Sequence, residues 1–499
     1  MPTNHTQDDS QLNPLATEYS LKHDLTSDSY ADASEIDPFA ERRLLRKLDM
    51  ALLPLFTLIH CCNFIDRTAV GNAKIAGLEK DLHMHGFQFN TALSVFYIFY
   101  FAAEIPSNLA LKHFGSIWIA VLVTAFGVVS IGSAFVRNYT DLMITRVFLG
   151  IAESGTLSGL IYIMARYYRR NELVLRVGIF VGLSPTLAGA FGGLLASGLL
   201  SVSNIGVVSS WRKIFLIEGI ITTGFGLILF FILPDNPRTT RMLNKEERAL
   251  AIARIDKDQV VKTAGRKEAT SLKLVLRSFN AHTTVCAFCF MMINISFQGL
   301  SLFLPTVVNT LGKFSTVNAQ LRTVPPYIFG SVWSLANAYA AYKMKQRTIP
   351  LVISVALMVL GYAIAIGTKE PHARYAACFF SVAGGSPSGP MFLTWATDNA
   401  FPDTMRAMVT AIIPGIGALG PIIGVWTYLP TDAPDFHKGN TLNLATSLTV
   451  CLLIGVTAVY LRWENERRDR GERDYRLEGK SAKEIEHLGY LHPYFRYQI

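Results

Sequence analysis

Seven ionisable residues lie inside otherwise apolar stretches of the sequence, where charges are rare. A charged side chain at the centre of a bilayer costs about 2.5–3.5 kcal/mol on insertion scales, so such residues are functional candidates by default. Carboxyl groups in this setting can gain and lose protons, and a guanidinium beside them can bind an anion. The residues are Asp66, Arg67, Glu104, Arg146, Glu153, Glu218 and Asp398.

Two pairs of these residues have informative spacing. Arg146, Gly150 and Glu153 are spaced i, i+4, i+7 and share one helical face, where Gly150 leaves room for a side chain or another helix to approach. Two turns, about 10.5 Å along the axis, separate the two charges, so each needs another partner. Asp66 and Arg67 point about 100° apart on a helix. We therefore expect Asp66 to pair with Arg146, and Arg67 to face a central cavity near Glu153.

Polar and aromatic side chains elsewhere extend this predicted site. Tyr100 and Glu104 share a helical face, and we expect Tyr100 to contact a ligand. Glu104, near Lys112, is expected to hold a gate, and a structural role for it is equally consistent. Asn294 and Gln298 share one face of a later stretch and are expected to bind the ligand.

The run GGSPSGP at 384–390 contains two prolines and three glycines, so regular helix throughout it is not expected. Irregular backbone at membrane depth is tolerated where it lines a cavity. We expect this run to line the cavity, with a packing kink as the alternative, and Trp395 to cap the ligand. Arg176, Glu218 and Arg406 are predicted gating or structural residues.

These residues are carried by a very apolar chain. It has 499 residues, of which 51% are hydrophobic and 17% are charged, and apolar stretches long enough to cross a hydrocarbon core of about 30 Å recur along it. The predicted fold class is an all-α polytopic membrane protein of twelve transmembrane helices in two six-helix bundles. The helices are predicted at 48–76, 90–112, 117–137, 140–165, 174–200, 212–234, 281–309, 322–343, 348–368, 373–398, 407–429 and 441–462.

The charged segments divide the chain further. The predicted bundles occupy 47–234 and 281–463, joined by a central loop at 235–280 that contains a short helix. A largely disordered acidic tail, 1–46, precedes them, and a second tail, 464–499, follows. Lysine and arginine cluster at alternate ends of the apolar stretches, which predicts cytosolic termini and a cytosolic central loop. This topology accounts for the net charge of +9 without a nucleic-acid partner.

Other motifs indicate little further chemistry. The six cysteines lie in apolar stretches and are expected to pack as small hydrophobes, although Cys286 and Cys289 have redox or metal spacing. We predict no cofactor, no metal site and no enzyme activity. Asn138 begins a glycosylation sequon in a predicted outer loop close to the membrane, where we expect low occupancy.

Several longer motifs together resemble one family. They are NFIDRTAVGNAKIAGLEKDL, ALSVFYIFYFAAEIPSNLALKHFG, RVFLGIAESG, WRKIFLIEGI and PMFLTWATDNA. The sequence resembles the fungal allantoate permease branch of the major facilitator superfamily, within its anion:cation symporter group. The resemblance covers about residues 35–465.

The resemblance implies proton-coupled uptake of a small organic anion of the allantoate, nicotinate, pantothenate or biotin type, by a monomer in the cell membrane. It also implies residue roles. Asp66 and Glu153 look like the proton-linked carboxylates, and Arg146 looks like the switch partner of Asp66. Arg67 and Tyr100 look like substrate contacts.

Two positions depart from the family pattern. Ala418 stands where relatives often have asparagine, and Ser158 stands where they usually have proline. The altered pocket leaves two alternatives open, both without enzyme activity. One is an exporter of a fungal secondary metabolite, and the other is a nutrient receptor that does not transport.

Overall fold

The computed structural model describes residues 37–203, 208, 210–263, 277–312, 314–401, 403–479 and 488–499. The chain divides into two compact units, residues 1–47 and 48–499. In the first unit, helix α1 (Pro38–Ile75) begins, and it continues into the second. Asp37 Oδ1 accepts a hydrogen bond of 2.9 Å from the Phe39 amide, and proline occupies the first helical position. This start combines two common helix-initiation signals.

The helix that contains the first predicted crossing therefore begins ten residues before that crossing, at Pro38. The residues of the predicted disordered tail that precede 37 lie outside the described ranges. The helices that follow in the first half are α2 (Leu78–Asp81), α3 (Gln88–Phe114), α4 (Ser116–Ser133), α5 (Tyr139–Glu153), α6 (Thr156–Met164), α7 (Arg170–Ser201) and α8 (Arg212–Ile232).

The central loop contains the predicted short helix, α9 (Lys245–Thr263). The helices of the second half are α10 (Ala281–Thr310), α11 (Thr316–Leu321), α12 (Val324–Met344), α13 (Thr348–Gly367), α14 (Pro371–Asp398), α15 (Asp403–Gly417), α16 (Gly420–Gly424) and α17 (His437–Asp469). Short 3-10 turns at Pro430–Asp432, Asp474–Arg476 and Gly489–Leu491 complete the elements.

Nine of the helical segments in the described ranges are long and apolar enough to cross a membrane. One of the nine joins α5 and α6 across a break at 154–155 that the prediction of a continuous helix at 140–165 missed. The other three predicted crossings correspond to α12, α14 and the shorter pair α15 and α16, which lie outside the nine. The chain is thus an all-helical multi-pass membrane protein, and the count of twelve crossings stays a prediction.

Helix α14 corrects the prediction that GGSPSGP breaks the helix, because it runs without interruption through that sequence. Proline at 387 has no amide to donate to the carbonyl of Ala383, four residues earlier. The hydroxyl of Ser386 lies 3.4 Å from that carbonyl oxygen and from the Gly330 carbonyl, and 2.8 Å from the Ser334 hydroxyl. Gly384 packs directly against the backbone of Ser354 and Met358 in α13, where a side chain would not fit. Ser386 therefore offers a donor near the carbonyl that Pro387 leaves free, and Gly384 lets α13 and α14 approach closely.

The last residues of the chain lie against the ends of several helices at one face of the bundle, the face at which α17 ends at Asp469. We call this the tail face. The backbone of Gln498 makes two hydrogen bonds to the side chain of Asn399, at 2.7 and 2.9 Å, and Trp395 Nε1 donates to the Gln498 carbonyl at 3.0 Å. The amide of Arg347 donates to the carbonyl of Ile499 at 3.0 Å. Residues 495–499 thus connect the ends of α12, α13 and α14.

An Asn399→Leu variant should lose stability through this contact. Asn399 is 2% exposed, and its replacement by leucine leaves the Gln498 amide without its acceptor, whereas the Gln498 carbonyl keeps its bond from Trp395 Nε1. A hydrogen bond of this kind contributes about 0.5–1.5 kcal/mol, and more where the group left behind is buried. We expect a clearly lower melting temperature for the purified protein in detergent. Asn399→Asp keeps the acceptor for the Gln498 amide, so its melting temperature should fall between those of the wild type and Asn399→Leu. Equal melting temperatures of all three proteins would contradict the contact.

Candidate functional site

A cavity of about 870 Å³, including space open to solvent, lies between the two halves of the second unit. The first half contributes α1, α3, α6 and α7 to its wall, and the second half contributes α10, α14, α15 and α16. Its polar lining residues are His60, Arg67, Tyr97, Tyr100, Glu104, Ser158, Asn294, Gln298 and Ser386.

An ion pair forms the charged centre of the cavity wall. Arg67 Nε lies 2.7 Å from Glu153 Oε2, and these side chains are 9% and 0% exposed. The guanidinium carbon lies 4.6 Å from the ring centre of Tyr100, 5.2 Å from that of Phe64 and 5.5 Å from that of Phe96. Cation–π contacts of this kind are strengthened by desolvation. The expected position of Arg67, at the cavity and near Glu153, is found.

Asp66 and Arg146 interact electrostatically, but no direct ion pair or hydrogen bond between them is present among the described residues. Asp66 Oδ1 accepts a hydrogen bond of 2.8 Å from the Ser130 hydroxyl, and Oδ2 has no hydrogen-bond partner among the described residues. Arg146 is 2% exposed, and its Nε and Nη2 also have no partner there. Its guanidinium carbon lies 5.5 Å from the Phe215 ring centre. The serine occupies the position that the sequence assigned to arginine.

Gly150 brings α3 and α5 together, as its place between Arg146 and Glu153 suggested. A side chain there would overlap the carbonyl oxygen of Phe96, and its first carbon would lie 3.0 Å from the Tyr100 amide. The close approach places Tyr100 beside the Arg67–Glu153 pair. The glycine therefore positions the site without contacting a ligand.

A Gly150→Ala variant is expected to lose both stability and transport. The added methyl group meets rigid backbone on α3, which has to move away and take Tyr100 with it. Overpacking of this kind typically costs about 1–3 kcal/mol. Gly132→Ala is the matched control, because a carbon added there meets nothing within 4 Å. Melting temperature and uptake should both fall for Gly150→Ala and stay near wild type for Gly132→Ala.

Glu104 connects the two parts of the broken helix to α3. Its Oε2 accepts from the amide of Gly155 at 3.0 Å, and its Oε1 accepts from the Ser158 hydroxyl at 2.7 Å. Gly155 has a φ of 74°, a conformation that favours glycine and lets α6 restart after the break. Lys112 is exposed on the same helix. These contacts favour the structural alternative for Glu104, although it also lines the cavity.

The second half supplies an amide and aromatic wall. Asn294 Nδ2 donates to the Gly417 carbonyl at 3.3 Å, and Gln298 is 9% exposed at the cavity. Ala418 also lines the cavity. Phe290 and Phe297 add aromatic surface. The polar residues expected here therefore line the same cavity as Arg67.

Trp395 does not cap the cavity, which corrects its prediction as a ligand contact. It is 1% exposed, packs edge-to-face on His282 with ring centres 5.0 Å apart, and donates to Gln498 at the tail face. The Trp395 side chain therefore anchors the end of the chain.

The remaining predicted residues have structural contacts. Arg176 forms a two-point ion pair with Asp49, at 2.5 and 2.8 Å, which joins α7 to α1. Arg406 Nε donates to the Thr397 carbonyl at 3.0 Å. Asn138 Oδ1 accepts from the Asp141 amide at 2.8 Å and caps α5, a contact that a glycan on this side chain would disturb. Glu218 is buried and is considered below.

Sequence reasoning missed His60, which is 3% exposed and lines the cavity. Its ring packs edge-on against Phe64 and Phe180, with centres 5.0 and 5.9 Å apart. A histidine in an apolar stretch resembles a core residue in sequence. Its spacing of seven from Arg67 places both on one face of α1 and was the available signal.

Hydrogen bonds between the halves close the face opposite the tail face, where α1 ends at Ile75 and α10 at Thr310. We call this the distal face. Asn90 Nδ2 donates to the Val425 carbonyl at 2.5 Å, and Gln320 Nε2 donates to the Asn72 carbonyl at 3.3 Å. Further bonds join Thr316 to Ile75 and Trp426 to Ser94, at 3.4 and 2.9 Å. The halves are therefore in contact at the distal face.

Space between the halves continues towards the tail face. A second hollow of about 570 Å³ separates α7 from α12 and α14, and Pro390 lines both this hollow and the cavity. Arg347, whose backbone is bonded at the tail face, also lines the hollow. The conformation thus has a closed distal face and a path of hollows on the other side.

Two helical halves around a polar cavity, in contact at one face, define a membrane transporter rather than an enzyme. The sequence profile of the Major Facilitator Superfamily matches residues 56–425. An uncharacterized transporter of Schizosaccharomyces pombe is 32% identical over 466 residues, which cover 92% of this chain and 89% of the relative. The chain therefore belongs to the major facilitator superfamily.

Two further comparisons agree with this assignment. The high-affinity nicotinic acid transporter of Saccharomyces cerevisiae is 28% identical over 467 residues, 93% of this chain and 86% of that protein. The xylose transporter XylE from E. coli, in a partially occluded inward-open conformation, has a TM-score of 0.62 at 14% identity, with 81% of this chain and 98% of that chain covered. The second similarity shows the fold.

Proposed function

We propose that this transporter is a proton-coupled symporter of small organic carboxylates. The arrangement that carries the proposal is the Arg67–Glu153 pair, a guanidinium at the cavity held 2.7 Å from a fully buried carboxylate. Guanidinium binds carboxylates through paired hydrogen bonds. Glu153 and a substrate carboxylate therefore compete for the same cation, and the competition couples substrate to proton.

The coupling works through the charge of Glu153. When Glu153 takes a proton, it no longer holds Arg67 as an ion pair, and the guanidinium becomes available to an incoming carboxylate. The halves then rock and open the other face. When Glu153 loses the proton, it forms the ion pair with Arg67 again and displaces the substrate. Asp66, bonded to Ser130 behind this pair, is the second proton-linked carboxylate in the proposal.

The rest of the wall favours an acid with a flat, apolar body. Tyr97 and Tyr100 face the cavity from the first half, and Phe290 and Phe297 face it from the second. Aromatic walls of this kind suit offset or edge-on ring packing. Asn294 supplies an amide for a ring nitrogen or hydroxyl. A nicotinate-type aromatic acid fits this lining, and the similarity to the yeast nicotinic acid transporter supports that class.

Uptake of a labelled acid panel, with and without a protonophore, tests this function. Nicotinate and nicotinamide form the sharpest pair, because the amide keeps the ring and removes the charge. We expect proton-dependent uptake of the acid and little of the amide. Equal uptake of both, or uptake of the acid that the protonophore leaves unchanged, would overturn the proposal.

Export of a secondary metabolite is the alternative that the cavity also supports. Ala418 gives this wall an apolar surface, which suits a larger apolar cargo. Transport into and out of cells that express the protein separates the two directions. A receptor that does not transport would bind the ligand without accumulating it in either assay.

We further propose that both termini are cytosolic, that the protein is a monomer of the cell membrane and that the distal face is extracellular. The basic residues at alternate helix ends support this topology. A cysteine introduced at Lys80, next to the distal end of α1, should react with a membrane-impermeant maleimide in intact cells. A cysteine introduced at Arg470, beyond α17, should react only after permeabilisation, and the reverse pattern would invert the topology.

A further inference from the structure

A second group of buried ionisable residues lies behind the cavity, where α1, α4, α5 and α8 meet. Asp66, Glu218 and Arg146 are 3%, 3% and 2% exposed. Within the part of the chain that the structure describes, both carboxylate oxygens of Glu218 and Oδ2 of Asp66 have no hydrogen-bond partner. Buried polar groups in native proteins are nearly always paired. The unpaired oxygens of Glu218 and Asp66 therefore indicate that one of these carboxyl groups carries a proton and can donate a hydrogen bond.

Helix packing places the Glu218 carboxyl beside Asp66. Gly219, the next residue, packs against the backbone of Ile131 on α4. Ile131 follows Ser130, whose hydroxyl is bonded to Asp66. The carboxyl groups of Asp66 and Glu218 also interact electrostatically. Two acids, each 3% exposed, thus interact within one buried region.

Guanidinium groups compensate the negative charges of Glu153 and Asp66 but not that of Glu218. Arg67 is bonded to Glu153, and Arg146 interacts electrostatically with Asp66 and Glu153. Arg146 approaches α8 through the Phe215 ring, one turn before Glu218. Three carboxylates and two guanidiniums leave one uncompensated negative charge if all are ionised. Because an unpaired buried charge is very costly, one proton must stay in the group.

The other groups that face this site do not supply the missing positive charge. On α1, Cys62 and His60 lie near Asp66 and Arg67, and both are buried. Helix α4 contributes serine but no ionisable side chain to the contact. None of the three acids lines the cavity, but among the described residues Glu153 is paired with Arg67 and Asp66 is bonded to Ser130, whereas neither oxygen of Glu218 has a partner. Glu218 is therefore the acid best placed to keep the proton.

We propose that Glu218 stays protonated throughout transport and donates its O–H to Oδ2 of Asp66, so that it positions Asp66 and sets its proton affinity. Glu218 is thus a positioning residue, and its effect on transport rests on the proposed role of Asp66 in proton coupling. The hydrogen bond stabilises the charged form of Asp66, so losing the donor makes Asp66 easier to protonate.

Two substitutions of Glu218 separate this arrangement from its alternatives. Glu218→Gln keeps an N–H donor of similar shape and should leave the pH of half-maximal uptake unchanged. Glu218→Met has similar volume without a donor, and its midpoint should move to higher pH by about 1–2 units. If Glu218 were ionised, the glutamine variant would remove a repelling charge, and its midpoint would move to lower pH. That acid shift, or an unmoved midpoint in Glu218→Met, would overturn the proposal.

Infrared spectroscopy tests the proton itself, without any transport. The wild-type protein near neutral pH, in a detergent without carbonyl groups, should show the carbonyl band of a protonated carboxylic acid. The difference spectrum between wild type and Glu218→Gln should contain this band, and its absence from the difference would overturn the proposal. If wild-type uptake proves independent of pH, the proposed symport fails while the infrared result still decides the state of Glu218. Surface expression and melting temperature verify that each variant is folded.

Discussion

An Arg67→Met variant should lose uptake of its carboxylate substrate by at least about a hundredfold. The substitution removes the anion receptor and leaves the buried carboxylate of Glu153 without its partner. Removing one partner of a buried, hydrogen-bonded charge pair between binding partners costs about 2–5 kcal/mol of binding, and about 1.4 kcal/mol is a factor of ten. Initial uptake rates of labelled substrate, divided by the amount of protein at the cell surface, measure the effect.

A double variant separates the loss of binding from a loss of folding. Arg67→Met with Glu153→Gln leaves no buried charge unpaired, and replacing a buried ion pair by uncharged residues of similar size is often neutral for stability. The double variant should therefore melt near wild type and still not transport, whereas Arg67→Met alone should melt lower. Substantial uptake by either protein would mean that the substrate anion binds elsewhere.

A Glu153→Gln variant should exchange substrate across the membrane without accumulating it. Glutamine resembles the protonated acid in shape and charge, but it cannot release a proton. Arg67 then stays available to the substrate at every pH, so binding and exchange of labelled for unlabelled substrate should persist. Proton-driven accumulation should be lost, because no proton is taken up at this position.

Counterflow and accumulation assays in proteoliposomes measure the two activities separately. Wild-type protein should accumulate substrate when the outside is acidified and should lose that ability with a protonophore. The variant should show counterflow at a comparable rate and no response to the protonophore. Full proton-driven accumulation by Glu153→Gln would remove Glu153 from the coupling step.

Helical periodicity was sufficient to find the charged centre of the site. Adjacent Asp66 and Arg67 must point in different directions, and the spacing from Arg146 to Glu153 prevents their direct contact. These two facts led to Arg67 beside Glu153, which the structure contains at 2.7 Å. The close approach at Gly150 also followed from spacing. Information of this kind is local to one helix and is written in the sequence.

Helical periodicity could not predict which residues on different helices are bonded to each other. Asp66 is bonded to Ser130, one of several hydroxyls on α4, and no spacing rule identifies which of them faces α1. Trp395 is bonded to the backbone of Gln498, 103 residues later, and a backbone carbonyl has no sequence signature. The serine beside Pro387 was visible, but the Ala383 carbonyl near its hydroxyl is identified only once the helix exists.

Three of the hydrogen bonds that close the distal face have backbone carbonyls as their acceptors. Asn90, Gln320 and Thr316 donate to the carbonyl oxygens of Val425, Asn72 and Ile75. Uncharged donors and peptide acceptors do not titrate near neutral pH, and salt screens them little. Acidity or ionic strength of the surrounding medium should leave these bonds unaltered, so the cell's environment acts on the transporter through its interior acids. Any residue at positions 75 and 425 retains the required oxygen, so these bonds place no demand on the side chains there, and at the fully buried Val425 packing alone decides which residue fits.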